Sequence, residues 1–243
     1  MTWSILARDP EGRFGIAIAS RFFGVGALCA HTRRGVGALS TQALMNPLYG
    51  PAGIAALAAG HAPQDVVQDL TSADAGRNQR QLHILPAQGP GVAYTGSECV
   101  DWCGHLQGED FSMAGNMLAG PQFLEASAQA YRDTQGQPMA ERLIAAMLAG
   151  EQAGGDKRGK QAAALRIQGD EDYLDLDLRV DDHVEPLLEL QRLYNKSLER
   201  FQPFLSALAG RQDPVGLIDR SKIEARIEAF HAKRCAQRGQ DLA

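Results

Sequence analysis

The chain has 243 residues, of which 44% are hydrophobic and 22% charged, and its formal net charge is −5. This composition is typical of a soluble globular protein, and the acidic balance argues against a general nucleic-acid or anionic-membrane surface. No apolar run approaches the roughly 18 residues of a membrane span, and no signal segment is visible at the start. We therefore expect a cytoplasmic protein without nucleic-acid or membrane partners.

The first half of the chain is predicted to contain strands interrupted by one helix pair. Residues 2–20 read as a β-hairpin, because two apolar runs flank an Asp-Pro-Glu-Gly turn signal. A glycine-rich stretch then leads to a strand pair that ends at residues 40–42. Prolines begin two helices, over residues 51–60 and 63–72, and Gly60 is suited to end the first. Short strands are predicted next, at residues 81–85, 91–95, 98–102 and 111–116.

The second half is predicted to contain another helix pair, two strands and a helical end. The helices cover residues 121–134 and 138–150, and the strands cover residues 161–168 and 173–180. An amphipathic helix over residues 185–208 follows, then a polar helix and a loose tail. Runs of strands separated by helix pairs favour antiparallel sheets with helices on their faces. The apolar face of the 185–208 helix predicts a symmetric homodimer.

The four cysteines are scattered, which favours free thiols in a reducing compartment over a disulfide framework. Cys99 and Cys103 have the spacing of half a zinc site, but the sequence offers no second pair. A phosphate loop, a dinucleotide fingerprint and a Gly-x-Ser-x-Gly elbow are also missing from the sequence. We therefore predict no metal and no cofactor.

Eight blocks of the sequence together carry a family resemblance, at residues 2–9, 20–26, 35–38, 41–43, 46–51, 115–121, 154–161 and 177–183. They are similar to the bacterial family called domain of unknown function 1028, which is placed among the N-terminal-nucleophile hydrolases. The resemblance implies an α+β fold, a four-layer αββα sandwich of two antiparallel sheets between helix pairs. We expect this domain in residues 1–184 and a C-terminal helical extension in residues 185–243.

Thr2 has two interpretations. A threonine at the start of a strand is common, because β-branched residues are good strand formers. A threonine exposed as the first residue is also a self-contained nucleophile, because its own α-amine can act as the base. The pKa of an α-amine, roughly 7.7–8.0, suits that role. The family resemblance favours the catalytic interpretation, which requires removal of Met1.

Such a nucleophile needs positive charge nearby, and related folds commonly supply it from a strand about thirty residues on. Here the resemblance points to Arg34 as a catalytic residue and to Arg33 beside it, with Arg21 as an alternative. All three are arginines, which hold anions well but exchange protons poorly. Gln42 and Asn46, between a strand and a helix, are predicted to bind the substrate; the simpler interpretation is turn chemistry.

Two further junctions are expected to return to Thr2. In residues 115–120 the glycines and Asn116 can present N–H groups to an oxygen. In residues 154–160, Asp156 is predicted to orient the nucleophile or its amine, because the resemblance places an aspartate there. Lys157 and Arg158 would add positive potential for an acidic substrate group. The simpler interpretation of both segments is a helix cap followed by a tight turn.

These residues support two hypotheses of different classes. The first is a hydrolase that cleaves a small amide or peptide substrate, with catalytic residues Thr2, Arg34, Asn116 and Asp156. The second is a non-enzymatic binding protein on the same fold, with Met1 retained and the glycine-rich segments holding an anionic metabolite.

Overall fold

The computed structural model describes residues 2–154 and 159–240. Strands and helices alternate along the chain much as the sequence predicts. The strands are β1 (Thr2–Arg8), β2 (Phe14–Ser20), β3 (Ala30–Arg33), β4 (Gly37–Ala43), β5 (Arg80–Pro86), β6 (Val92–Thr95), β7 (Trp102–Gln107), β8 (Phe111–Leu118), β9 (Ala162–Gln168) and β10 (Leu176–Val180). The helices are α1 (Val25–Cys29), α2 (Tyr49–Ala58), α3 (Pro63–Ser72), α4 (Gln122–Asp133), α5 (Met139–Gln152), α6 (Pro186–Ser197), α7 (Phe201–Leu205) and α8 (Arg220–Gln240).

Two antiparallel sheets lie face to face. The first has the strand order β10-β9-β2-β1-β8-β7 and the second has the order β3-β4-β5-β6. The helix pair α4 and α5 packs on the outer face of the first sheet, and α2 and α3 pack on the outer face of the second. The predicted α+β fold, an αββα sandwich, is therefore confirmed, and the 2–20 hairpin lies at the centre of its larger sheet.

The hairpin owes its central place to the two faces of its strands. Trp3 points outward and meets Phe123 of α4 edge to face, with ring centroids 5.1 Å apart. Leu6 points inward, into a buried cluster between the two sheets. Gly15 of β2 lies beneath α5, where an added Cβ would come within 2.6 Å of Leu143 Cδ1. The small residues of β2 thus allow the helix to approach the sheet closely.

Three predicted elements differ from the observed ones. Residues 98–101 form a loop, and β7 begins only at Trp102. Residues 115–118 belong to β8, so the expected glycine loop is largely strand. The predicted 185–208 helix breaks into α6 and α7. Pro203 explains the break, because proline has no N–H for an interior helical bond and is tolerated in a first turn.

The chain divides into two compact units, residues 1–191 and 192–243. The first contains the sandwich; the second contains α7 and α8, where Arg200 of the preceding turn forms a two-bond ion pair with Glu224. The predicted boundary after residue 184 stays a prediction. Leu187, Leu190 and Tyr194 are buried within the single chain, so this face no longer argues for a homodimer, which also stays a prediction. In residues 2–154 and 159–240, no helix has the length and apolar character to cross a membrane.

Candidate active site

Three side chains form a row across the three central strands of the larger sheet, at one end of these strands. Thr2 of β1 lies opposite Ser20 of β2 on one side and opposite Asn116 of β8 on the other. Directly opposed residues share a face of the sheet, with Cβ atoms roughly 4.5–5.5 Å apart. Thr2 Oγ1 and Ser20 Oγ are 2.9 Å apart, within hydrogen-bond distance. The row faces the second sheet, because Ser4, two residues after Thr2, bonds to Gln42 of β4.

The row forms part of the wall of a cavity of about 480 Å³. This volume is within the range of small-molecule sites, roughly 300–1,000 Å³. The wall combines hydroxyl, amide and charged groups with exposed apolar side chains such as Leu44 and Val100. The lining residues are Thr2, Ser20, Arg21, Phe22, Ala43, Leu44, Met45, Gln79, Glu98, Cys99, Val100, Asn116 and Met117.

A β-bulge shapes one side of this cavity. Between the pairs Trp102–Leu118 and Gly104–Gly115, β7 has one intervening residue and β8 has two. β8 therefore carries one extra residue at this point, where Asn116 and Met117 together lie opposite Cys103. Bulges redirect side chains and are common beside active sites. Here the bulge includes Asn116, the residue that pairs with Thr2.

Backbone strain is concentrated at the same place. Among the described residues, the non-glycine positions with positive φ are Ala43 at 67°, Asp101 at 55° and Met117 at 56°. Ala43 and Met117 line the cavity, and Asp101 directly follows a lining residue. Left-handed backbone costs a non-glycine residue roughly 1–2 kcal/mol, and such costs cluster at functional sites. This clustering is independent support for the cavity as the working site.

A buried polar network fixes the orientation of Asn116 from behind. Gln81 Nε2 lies 3.0 Å from the carbonyl oxygen of Gly104 and 2.9 Å from that of Gly115. Carbonyl oxygens only accept hydrogen bonds, so this end of the Gln81 amide is the nitrogen. Its Oε1 then accepts from Gln42 Nε2 at 2.7 Å and from Asn116 Nδ2 at 3.1 Å. One Asn116 hydrogen is thus directed into the core.

The same logic determines the protonation of His83. Gln42 uses its nitrogen towards Gln81, so its Oε1 accepts from the Ser4 hydroxyl at 2.7 Å. Ser4 Oγ must then accept from His83 Nε2–H at 2.7 Å, and His83 Nδ1 lies 2.8 Å from the Ser112 hydroxyl oxygen. His83 therefore carries a hydrogen on Nε2. Burial, and then the charge of neighbouring His105, lower the pKa of His83 to about 3.

The family follows from comparison with known sequences. A model described as a family of unknown function, DUF1028, matches residues 2–190. The chain belongs to this family. A DUF1028 protein of solved structure from Silicibacter pomeroyi is 31% identical, with a TM-score of 0.82, covering 90% of this chain and 96% of its own.

Two Anbu (ancestral β-subunit) structures are more distant. The one from Yersinia bercovieri has 10% identity and a TM-score of 0.41, and covers 81% of this chain and 94% of its own. The one from Hyphomicrobium sp. strain MC1 has 11% identity and a TM-score of 0.42, with the same coverage of both chains. No curated protein matches the DUF1028 chain significantly.

In the chain described here, three of the predicted site residues come together at the cavity. Thr2 and Asn116 are neighbours in the row, and Arg21 lines the wall beside them. Asp156, Lys157 and Arg158 lie outside the described residues, so their predicted roles remain predictions.

Arg33 and Arg34 are not brought to the cavity. Arg33 is the last residue of β3 and Arg34 begins the turn to β4, whereas Ala43, at the other end of β4, lines the cavity. Seven residues of strand span about 20 Å at roughly 3.4 Å per residue, so the two exposed arginines are far from Thr2. The catalytic role of Arg34 and the substrate-binding role of Arg33 stay predictions that this position does not support, and Arg21 is the predicted arginine that lines the cavity.

Gln42 and Asn46 do not line the cavity either, and both have structural partners; their substrate-binding roles stay predictions. Gln42 is completely buried in the polar network. Asn46 Nδ2 donates to Asp74 Oδ2 at 3.2 Å, in a clamp that also receives Tyr49 Oη at 2.7 Å and Arg80 Nε at 3.1 Å. These bonds, led by that of Tyr49, hold the pKa of Asp74 well below its usual range.

The clamp supports one wall of the cavity. A guanidinium nitrogen of Arg80 also donates to the backbone carbonyl oxygens of Leu44 and Met45, two lining residues. Asp74 therefore stabilises the segment between β4 and α2 from below. Asn46 acts through this segment and does not itself contact the cavity.

Proposed function

We propose that this protein hydrolyses an amide bond, with Thr2 as the nucleophile once Met1 has been removed. One observation carries the proposal: the Thr2 hydroxyl lies at the wall of a small-molecule-sized cavity, between Ser20 and Asn116. A structural threonine at the start of a strand requires neither the cavity nor the strained backbone around it.

The reaction has two steps. The neutral α-amine of Thr2 accepts the Oγ1 proton while Oγ1 attacks the amide carbonyl carbon. The tetrahedral intermediate expels the amine product, which takes the proton from the α-ammonium, and an acyl ester remains on Oγ1. Water, giving a proton to the same α-amine, then attacks the ester. The acyl–Oγ1 bond breaks, Oγ1 takes that proton back from the α-ammonium, and the carboxylic acid is released.

The neighbours of Thr2 support these steps. Thr2 Oγ1 lies 2.9 Å from Ser20 Oγ, and the mechanism requires Ser20 to be the donor of this pair during the attack, so that the Thr2 hydrogen goes to the amine. Asn116 uses one Nδ2 hydrogen towards Gln81, and the other is available to the carbonyl oxygen on which negative charge develops. Arg21 adds positive potential at the cavity wall.

The first test compares Thr2→Ala and Thr2→Ser in a screen of small amides and dipeptides, after intact mass has established whether Met1 is absent. Serine keeps the hydroxyl, so Thr2→Ser retains measurable activity, whereas Thr2→Ala loses about 10³-fold or more in kcat/KM. Thr32→Ala on β3 is the matched control and keeps wild-type activity. Turnover by Thr2→Ala at the wild-type rate would overturn the proposal.

The pH profile is a second test. An α-amine base must be neutral, so kcat/KM rises with pH through about 7.7–8.0 and then levels off. Acetylation of the α-amine abolishes this rise together with the activity. Retention of Met1 in protein purified from its own host, with no turnover in the screen, would exclude the amine mechanism and favour the non-enzymatic binding protein on the same fold.

A further inference from the structure

The two sides of Thr2 differ in chemical character. Because β1 lies between β2 and β8, the segment that continues from β2 and the bulge of β8 border the cavity from opposite sides. Arg21 and Phe22 directly follow Ser20, the last residue of β2. On the β8 side, Met117 N–H donates to the carbonyl oxygen of Val100 at 3.2 Å, which joins the 98–101 loop to the bulge.

The β8 side presents apolar side chains to the cavity and one carboxylate, that of Glu98. Val100 is 58% exposed although it lines the cavity with Met117 and Cys99. Burial raises the pKa of the Cys99 thiol, so the thiol is neutral. Glu98 is the acid on this side, and both of its oxygens accept from neighbouring amides, those of Asn78 and Gln79, at 3.3 Å.

The β2 side carries a guanidinium. An arginine presents five N–H donors in a planar fork that matches a carboxylate, so Arg21 can hold an anion while keeping another contact. The ring of Phe22, 47% exposed, lies next to it in sequence and also lines the cavity. A ligand across Thr2 would therefore meet the Arg21 guanidinium at one end. At the other end it would meet the apolar side chains of Val100 and Met117, with the Glu98 carboxylate held by amides beside them.

We infer that the cavity binds N-acylated amino acids, with the carboxylate at Arg21 and an apolar acyl chain against Val100 and Met117. This rests on the proposed function for the position of the scissile amide at Thr2. In this orientation the acyl group stays on Thr2 after the first step, and the free amino acid leaves from the Arg21 side. The cavity volume of about 480 Å³ suits a molecule of this size.

Binding is measured by calorimetry on the Thr2→Ala protein, so that it does not depend on turnover. The probes are N-acetyl-, N-butanoyl- and N-hexanoylglycine, and hexanoylglycinamide as the uncharged counterpart of the last. The dissociation constant falls about fourfold per added methylene group, and the amide binds at least about tenfold more weakly than the acid.

Two variants in the same background assign these effects to the two sides. Arg21→Gln removes the preference for the acid over the amide, and Val100→Ser weakens the dependence on chain length. The matched controls are Arg33→Gln, at the distant turn, and Val184→Ser, an exposed valine outside the cavity lining; both leave the series unchanged.

Several results would overturn the inference. They are affinities independent of chain length, equal binding of hexanoylglycine and its amide, and tighter binding of leucylglycine than of 4-methylpentanoylglycine, which lacks the ammonium group. Failure of the proposed function looks different: selective binding persists, but wild-type protein releases no glycine. Conversely, if the wild-type protein hydrolyses uncharged amides as well as the acids, the proposed hydrolase activity stands and N-acylated amino acids are refuted as its substrate class.

Discussion

The buried histidine between the two sheets makes the stability of the sandwich sensitive to mild acid. His83 is completely buried, and its two ring nitrogens lie within hydrogen-bond distance of Ser4 and Ser112. Burial is the main cause that disfavours the charged, doubly protonated ring. The folded protein therefore resists protonation of a group that the unfolded chain protonates readily.

The magnitude follows from the two pKa values. The pKa of His83 is about 3 in the folded protein, against an ordinary value of 6.5. Between these values the unfolded chain binds the additional proton, so unfolding becomes easier as pH falls. The stability is fully present above pH 6.5 and decreases by about 1.4 kcal/mol per pH unit below it. From pH 6.5 to pH 5 the free energy of unfolding should drop by about 2 kcal/mol from this group alone.

The assay is urea unfolding at pH 7, 6 and 5, followed by the fluorescence of the tryptophans, both of which belong to the sandwich unit. His83→Gln keeps a neutral polar group and should lose most of the pH dependence in this range, although it is less stable at pH 7. His61→Gln, at an exposed position, is the control and should keep the wild-type slope. Equal slopes for wild type and His83→Gln would refute the reasoning.

Two further changes probe the wall of the cavity. Asp74→Asn removes the charge that accepts from Tyr49 and Arg80, and should lower the free energy of unfolding by about 2 kcal/mol in urea, because hydrogen bonds to charged groups contribute about 1.5–3 kcal/mol each; an unchanged midpoint would contradict the clamp. Ala43→Gly relieves a left-handed φ of 67° and should raise the thermal midpoint slightly, whereas Ala38→Gly, in the regular part of the same strand, should lower it.

Much of the fold was predictable because its boundaries are encoded locally. Pro63 begins α3, and Gly60, with φ of 90°, follows the end of α2, as the sequence indicates. The prediction of one continuous helix over residues 185–208 was wrong for an equally local reason. Its apolar spacing continues through positions 201 and 205, and this pattern outweighed Pro203, which marks a new first turn.

The site was only partly predictable, because it depends on which end of each strand meets the cavity. Thr2 and Asn116 were found from the family resemblance and are neighbours in the sheet. Arg34 was predicted to be catalytic because it lies about thirty residues after Thr2 in the sequence. This spacing does not reveal that the turn containing Arg34 lies at the end of β4 that is far from the cavity. The alternation of Gln81 and His83 with apolar neighbours was visible, but alternating polar residues normally indicate a solvent-exposed face, and here that face is the interior.

The position of Thr2 has a practical consequence for anyone who produces this protein. Chain starts usually fray into solvent, where an affinity tag is harmless. Thr2 is 8% exposed, paired on both sides, and part of the cavity wall, so a tag fused ahead of it would be attached at the cavity wall. In amino-terminally tagged protein the tag residues could therefore compete with the ligand for the cavity. Ligand screens should use protein whose amino end is native.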